Sequence, residues 1–291
     1  MQNDVPKLIF IVPYRDREFH RNIFYKWTRE FIEKNNYLVI FSHQNDKRLF
    51  NRGGIKNLGF IYVKEKYPEH YKDIVFVFHD VDLLIGDLSV NFFTEKGMIK
   101  HFFGFKKTLG GAFSITGEDF EKINGFPCYW TWGYEDNALY QRWRAENNKE
   151  VKIDYSHFCD MKLPYWFKKS SIIWHGDYRI INKKESSDNF KNCLNSSDGI
   201  KTTKLIKYST NNFKNKNYLM LNITEFSVLS KETKNAVNEK LTKKENSFIQ
   251  VPIAKKINKV AQRKIFNQFP IAKKINKVAQ RKIFGNLIGK H

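Results

Sequence analysis

Ile74-Val75-Phe76-Val77-Phe78 runs almost directly into Asp80-Val81-Asp82. A continuous run of β-branched and aromatic residues marks a strand buried on both faces, the pattern of a parallel sheet covered by helices. Two similar runs precede it, Lys7–Pro13 (KLIFIVP) and Tyr37–Phe41 (YLVIF). Helical stretches lie between them, over Glu18–Glu33 and over Asn51–Tyr67, the second opened by a glycine pair. The alternation predicts an α/β fold, Rossmann-like, with a mostly parallel sheet flanked by helices. Ligands bind such sheets beyond the carboxyl ends of the strands, where the Asp pair falls.

Downstream, Gly110–Thr116 (GGAFSIT) reads as a further strand and Glu118–Ile123 as a short helix ended by Asn124-Gly125 and Pro127. Trp130-Thr131-Trp132-Gly133-Tyr134-Glu135-Asp136 then leads into a helix over Glu135–Asn147, so both acids sit at a helix N-terminus. Sugar transfer from a nucleotide donor needs these parts. Carboxylates hold the cation that neutralises a departing diphosphate, aromatic faces stack on sugar rings, and a further carboxylate takes the proton of the attacking hydroxyl. A frequent alternative for each acid is a solvated strand end or a helix N-terminal pair.

The 291 residues are enough for one large domain with an appendage. Cys128, Cys159 and Cys193 are widely spaced and odd in number, which argues against a disulfide framework and for a reducing compartment. The opening Met-Gln-Asn-Asp-Val-Pro carries no signal-peptide pattern, and no apolar run reaches the about 18 residues of a membrane span. Residues 184–217, rich in Asn, Ser and Lys, read as a long loop. Of the net charge of +21, 11 units come from Val251–His291, which holds no Asp or Glu. That tail repeats PIAKKINKVAQRKIF at 252–266 and 270–284. Ile253, Ile257, Val260 and Ile265 share one helical arc and Lys255, Lys256, Lys259 and Arg263 the opposite one. Residues 246–291 are therefore expected to bind an anionic membrane surface, peripheral on the inner face in a cytoplasmic setting. A solvated basic tail is the plain alternative.

The chain resembles the β-1,4-galactosyltransferase family. Val12-Pro13-Tyr14-Arg15-Asp16-Arg17, Phe50-Asn51-Arg52 with Asn57-Leu58-Gly59-Phe60, Asp80-Val81-Asp82, the stretch from Gly110-Gly111 through Asn124-Gly125-Phe126-Pro127 to Glu135-Asp136, Ile172-Ile173-Trp174-His175 and Ser197-Asp198-Gly199 are similar to its signature blocks, in family order. The resemblance implies a GT-A fold over residues 1–200. Residues 201–245 read as an extension or linker, and 246–291 as a separate basic amphipathic tail without counterpart in the family domain. The resemblance also implies a UDP-sugar donor, Mn²⁺ (or Mg²⁺) and inversion at the anomeric carbon.

Carried over by position, the resemblance makes Asp82 and His175 the metal ligands, Asp136 the catalytic base, and Glu135 a hydrogen-bonding partner of the acceptor. Pro13, Tyr14, Arg15, Arg17, Asn51, Arg52, Asp80, Val81, Trp132 and Gly133 would line the donor site. Phe105, Thr108, Gly110, Gly111 and Tyr134 would shape acceptor binding and specificity. Several positions depart from the family pattern. Ile172 stands where a methionine ligand is found in vertebrate members, and Thr131 and Tyr134 replace glycines. Thr108 replaces a tyrosine that blocks a 2-acetamido group, so UDP-GalNAc is expected alongside UDP-Gal. The acceptor would be a glycan or glycolipid hydroxyl. A related hexosyl or xylosyl transferase remains open. A basic nucleic-acid-binding protein would interleave cations with aromatics; here the charge gathers in the tail, and no nucleic acid is expected.

Overall fold

The computed structural model describes residues 5–85, 89–130, 133–147, 150, 152–160 and 197–229, with the backbone alone at 172–174, 180–181 and 249–250. All lie in one contact unit, Met1–Gln250. The elements in order are β1 (Leu8–Tyr14), α1 (Glu18–Lys34), β2 (Leu38–Gln44), α2 (Arg52–Lys66), β3 (Val75–His79), β4 (Leu83–Ile85), β5 (Ile99–Gly104), β6 (Ala112–Thr116), α3 (Gly117–Lys122), α4 (Glu135–Glu146), β7 (Ile153–Asp154), β8 (Cys159–Asp160), β9 (Ile172–Trp174), β10 (Ile180–Ile181), β11 (Lys204–Asn212), β12 (Tyr218–Ser227) and β13 (Ile249–Gln250).

One sheet runs β11-β12-β2-β1-β3-β6-β5-β7, with β8 also on β5. β12, β2, β1 and β3 are mutually parallel. β1 is buried along its whole length and feeds both faces. Ile9 and Ile11 pack with Ile55 and Leu58 of α2, while Leu8, Phe10 and Val12 pack with Phe24, Phe31 and Ile32 of α1. The period-2 alternation of a strand thus supplies two cores, one on each side of a helix–sheet–helix sandwich.

The mostly parallel sheet expected from the sequence is observed, with β6 antiparallel to β3 because the chain between them makes β4 and β5 instead of a helical crossover and returns through a β5–β6 hairpin. One expectation is corrected. Part of the expected loop at 184–217 and of the expected extension at 201–245 joins the sheet. β11 and β12 form an antiparallel hairpin, and β12 registers Tyr218 on Val39 through Ile223 on Gln44. β12 carries the buried apolar residues Tyr218 and Met220 in one core and Leu221, Ile223 and Phe226 in the other; β11 is the exposed edge, which is why its polar sequence reads as loop. The basic repeat of the tail lies outside the described residues. Among the described residues no helix is long and apolar enough to cross a membrane.

Close approach of α2 positions everything that follows. A Cβ on Gly59 would sit 2.7 Å from Ile11 Cγ2, and one on Gly53 would sit 2.1 Å from the Pro127 carbonyl oxygen. The helix therefore lies flush against both the sheet and the 126–128 segment. Asn51 caps it by accepting from Gly54 N at 2.8 Å. Asn57 exchanges two hydrogen bonds with Phe126, donating to its O at 2.7 Å and accepting from its N at 3.0 Å.

Candidate active site

The β3 strand ends at His79, and Asp80, Val81 and Asp82 form the turn into β4, closed by Leu83 N donating to Asp80 O at 3.1 Å. Asp80 N donates to Gly111 O at 2.9 Å, tying this turn to the β5–β6 loop. The N-terminus of α4 arrives from the other side. Tyr134 precedes it in the left-handed region at φ 66°, and Gly133 N donates to Glu135 Oε2 at 3.2 Å. Leu109 N donates to Asp136 O at 3.0 Å, so the same β5–β6 loop holds both acid-bearing segments. Arg142 on α4 clamps the approach, donating to Gly125 O at 2.7 Å and Asp198 O at 2.5 Å, while Asp198 Oδ2 accepts from Cys128 N at 2.8 Å.

Arg52, at the first turn of α2, joins these segments. Its Nη2 donates to both Asp80 oxygens at 2.8 Å. Its Nη1 donates to Glu135 Oε1 at 2.6 Å and to both Asp136 oxygens at 3.0 Å. Lys56, one turn further, is also buried beside Asp80 and Asp136. Burial alone would depress the Arg52 guanidinium, but Asp136, Asp80 and Glu135 raise it well above its ordinary value. Burial lifts the Asp136 carboxyl above the ordinary carboxylate range, against the pull of Arg52 and Lys56. A carboxylate with a raised pKa is a stronger base than a free one. His79 and His101 are kept neutral by burial, each lowered to about 4. His101 Nε2 lies 3.0 Å from both Phe103 O and Gly110 O, bracing the loop that carries Gly110 and Gly111.

Glycine is required at this loop. A Cβ on Gly110 would lie 2.4 Å from Asp136 Oδ2, and Gly111 has φ +69° with Phe103 O 2.4 Å from its missing Cβ.

The sequence-derived residues thus divide. Arg52, Asp80, Glu135, Asp136, Gly110, Gly111 and Gly133 come together, and Asp82, 4 % exposed, shares the Asp80 turn. Pro13 and Tyr14 end β1, and Val81 is buried. Arg15 donates to the carbonyls of Arg48 and of Asp46, the latter at 3.0 Å. Arg17 caps α1. Phe105 is exposed, and Thr108 Oγ1 folds back to donate to Phe105 O at 2.8 Å. Asn51, expected at the donor, is fully buried; its amide is spent on the α2 cap and on Cys128 O at 3.0 Å, so it holds the scaffold. Trp132 and His175 lie outside the described residues. Two features escaped the sequence reading. One is Lys56, whose signal was its place four residues after Arg52 on one helical face. The other is Arg48, seated on the rings of Trp130 and Phe226 at 4.8 and 4.1 Å from their centroids.

Two consecutive family models match. One, described as the N-terminal region of glycosyl transferase group 7, covers residues 4–94. The other, described as the N-terminal domain of galactosyltransferase, covers residues 97–162. Among curated relatives, β-1,4-galactosyltransferase 6 of Rattus norvegicus is 32% identical over 148 residues, 47% of this chain and 38% of the relative. β-1,4-galactosyltransferase 4 of Cricetulus griseus is 31% identical over 158 residues, 50% of this chain and 44% of the relative. The chain belongs to the β-1,4-galactosyltransferase family. It spans less than half the length of these two relatives. A Drosophila β-1,4-galactosyltransferase 7 mutant, solved with manganese, UDP-Gal and xylobiose, shares the fold at a TM-score of 0.57 and 20% identity, over 76% of this chain and 94% of that one. The catalytic domain of that enzyme with xylobiose gives 0.52. The fold is therefore GT-A.

Of the two ligands the resemblance implies for a divalent metal, Asp82 is described and its chemistry suits one. Asp82 offers hard carboxylate oxygen from a buried turn at the end of a parallel strand. β4 and β9 pair antiparallel with Leu83 on Trp174, the chain neighbours of Asp82 and His175. Among the described residues alone, no group of three ligand-type side chains forms a metal site.

Proposed function

We propose that this chain is a metal-dependent inverting glycosyltransferase that moves galactose or N-acetylgalactosamine from a UDP-sugar to a hydroxyl of a glycan or glycolipid acceptor, in β-1,4 linkage. The observation that carries the reading is the convergence of Asp80, Glu135 and Asp136 on Arg52, beyond the carboxyl end of a parallel strand and on the turn that bears Asp82.

Asp136 is the base. Its side chain is 24% exposed even though Arg52 Nη1 bonds both oxygens, which supports access for an acceptor. It takes the proton of the attacking hydroxyl as the new C1–O bond forms and the bond to UDP breaks on the opposite face. Glu135, buried against Arg52, orients the base and reaches toward the acceptor. Tyr14, Arg15 and Arg17 surround the end of β1, where the nucleotide would lie. Asp82 and His175 would hold Mn²⁺ or Mg²⁺, which supplies charge neutralisation for the leaving diphosphate when bound. The register of Leu83 on Trp174 supports that pairing. The short Thr108 side chain, turned back on its own loop, supports room for a 2-acetamido group.

The test is UDP release and mass-detected product from purified protein with Mn²⁺, UDP-Gal or UDP-GalNAc, and an acceptor panel. Product that disappears in Asp136→Asn and with EDTA is expected. Turnover surviving Asp136→Asn would remove the base assignment, and strict exclusion of UDP-GalNAc would remove the donor breadth. The proposal extends to location. The acid-free repeat at 252–266 and 270–284 supports attachment to an anionic inner membrane face. Flotation with phosphatidylserine vesicles should be lost when 246–291 is removed; equal flotation refutes attachment.

A further inference from the structure

Lys56 follows Arg52 by one turn of α2, so both side chains leave the same face. Its side chain is wholly buried, with Nζ 3.6 Å from Asp136 Oδ1 and 3.8 Å from Asp80 Oδ1. The Phe126 ring centroid lies 4.5 Å from the same nitrogen. Among the described residues no acceptor stands within hydrogen-bond distance of it. A buried amine without hydrogen bonds is costly, and what favours it here is charge together with the ring face.

Arg52 and Lys56 bring two positive charges to three carboxylates, Asp80, Glu135 and Asp136. Arg52 is divided among all three. Lys56 faces two, and it does so from a wholly buried position, whereas Asp136 is partly exposed. We propose that Lys56 is a positioning residue for the base, a fixed counter-charge that holds Asp136 as a carboxylate ready to receive a hydroxyl proton. This rests on the reading of Asp136 as base.

Asp136 is faced by Arg52 and Lys56 from α2, by Asp80 from the turn after β3, by Glu135 from its own helix, and by the backbone of Leu109 and Gly110 from the β5–β6 loop. With Lys56 gone, a single cation would remain among three acids. Burial already pushes the Asp136 carboxyl up, and Lys56 is one of the two groups that oppose it. Arg52 also belongs to the proposed donor site, so any donor contact divides its charge further. Lys56 is sealed from solvent; burial and the Arg52 charge lower its amine from the ordinary value, and Asp136, Asp80 and Glu135 oppose that, so the amine and the carboxylates sustain one another's charge.

The test titrates the Asp136 carboxyl carbon by NMR in the full chain, assigned by its loss in Asp136→Asn. In Lys56→Met the midpoint should rise by about 1 to 3 pH units, the effect of losing an opposite charge at this range. In Lys56→Arg it should stay near wild type. Where turnover is measured, the acid limb of kcat/KM should move with the midpoint, and donor KM should change little. An unmoved midpoint in Lys56→Met overturns the proposal and reduces Lys56 to packing. A moved midpoint with full transfer in Asp136→Asn keeps the counter-charge and removes the base reading instead. Should Lys56→Met not fold, Lys56→Gln carries the same expectation.

Discussion

Gly110→Ala places one methyl group against the proposed base and touches nothing else in the chemistry. The backbone permits it, because Gly110 is not among the residues of positive φ. The new Cβ would lie 2.4 Å from Asp136 Oδ2 and 2.8 Å from its Cγ. Ordinary contact begins near 3.4 Å, so the oxygen must withdraw by about 1 Å. It cannot withdraw freely. Both Asp136 oxygens sit 3.0 Å from Arg52 Nη1, and Oδ1 is 3.6 Å from Lys56 Nζ. A displacement of about 1 Å in a reacting group costs on the order of 100-fold in rate, or about 2.7 kcal/mol in the barrier. The fold should survive. Arg52 keeps Asp80 and Glu135, and weakening one charge-assisted bond costs about 1.5–3 kcal/mol of stability at most. The expected variant is thus folded, with donor KM near wild type and kcat down about 100-fold. Steady-state UDP release and a chemical denaturation curve measure both. Wild-type kcat in a folded Gly110→Ala protein would show that the position of Asp136 does not govern the reaction, and the base assignment would fall with it.

Arg52→Met should abolish turnover and destabilise the fold by about 3–5 kcal/mol, since it leaves three buried or half-buried acids with Lys56 as counter-ion; a loss below about 1 kcal/mol in urea would contradict the cluster. Acid should weaken the protein through His79 and His101, each lowered by burial to about 4 from an ordinary 6.5. The unfolded chain binds the protons first, so their contribution is complete above pH 6.5 and fades toward pH 4, by up to about 3 kcal/mol each; guanidinium midpoints that stay flat from pH 7 to 4 refute this. Tyr134 holds φ 66°, so Tyr134→Gly should leave stability within about 1 kcal/mol of wild type, while Tyr134→Val should lose more than that. Equal melting of the two variants would show that the left-handed geometry is not maintained in solution.

The strands and helices that line this site were legible because each carries its own period. Leu8–Pro13, Tyr37–Phe41 and Ile74–Phe78 are continuous runs of apolar and aromatic residues, and the structure buries nearly every one of them on one face or the other. The acid pair at 80–82 and the pair at 135–136 were legible because a strand end and a helix start locate them without tertiary knowledge. β11 was illegible for the opposite reason. An edge strand with one face on water has no need of apolar residues, and KLIKYSTNN has few. Its partner β12 opens on the apolar run Tyr218–Leu221, but a parallel pairing with β2, far earlier in the chain, leaves no local mark.

Lys56 shows a deeper limit. In isolation α2 presents a lysine among glycines and apolar residues, and a lysine on a helix is ordinarily a solvated charge. What buries it is the closeness of α2 to its surroundings, set by Gly53 against Pro127 and by Gly59 against Ile11. The acids that offset it come from segments 24 and 80 positions downstream. A counter-charge has no motif of its own, because its function depends on where its partners fold. The same logic orders the site: each acid could be named from sequence, but whether it acts as base, anchor or scaffold depends on cations that only the assembled fold delivers. Asp80 and Asp136 each take two bonds from Arg52, and the proposed base differs in lying nearer Lys56, 3.6 Å against 3.8 Å, and in being the more open, with 24% against 18% of its side chain exposed.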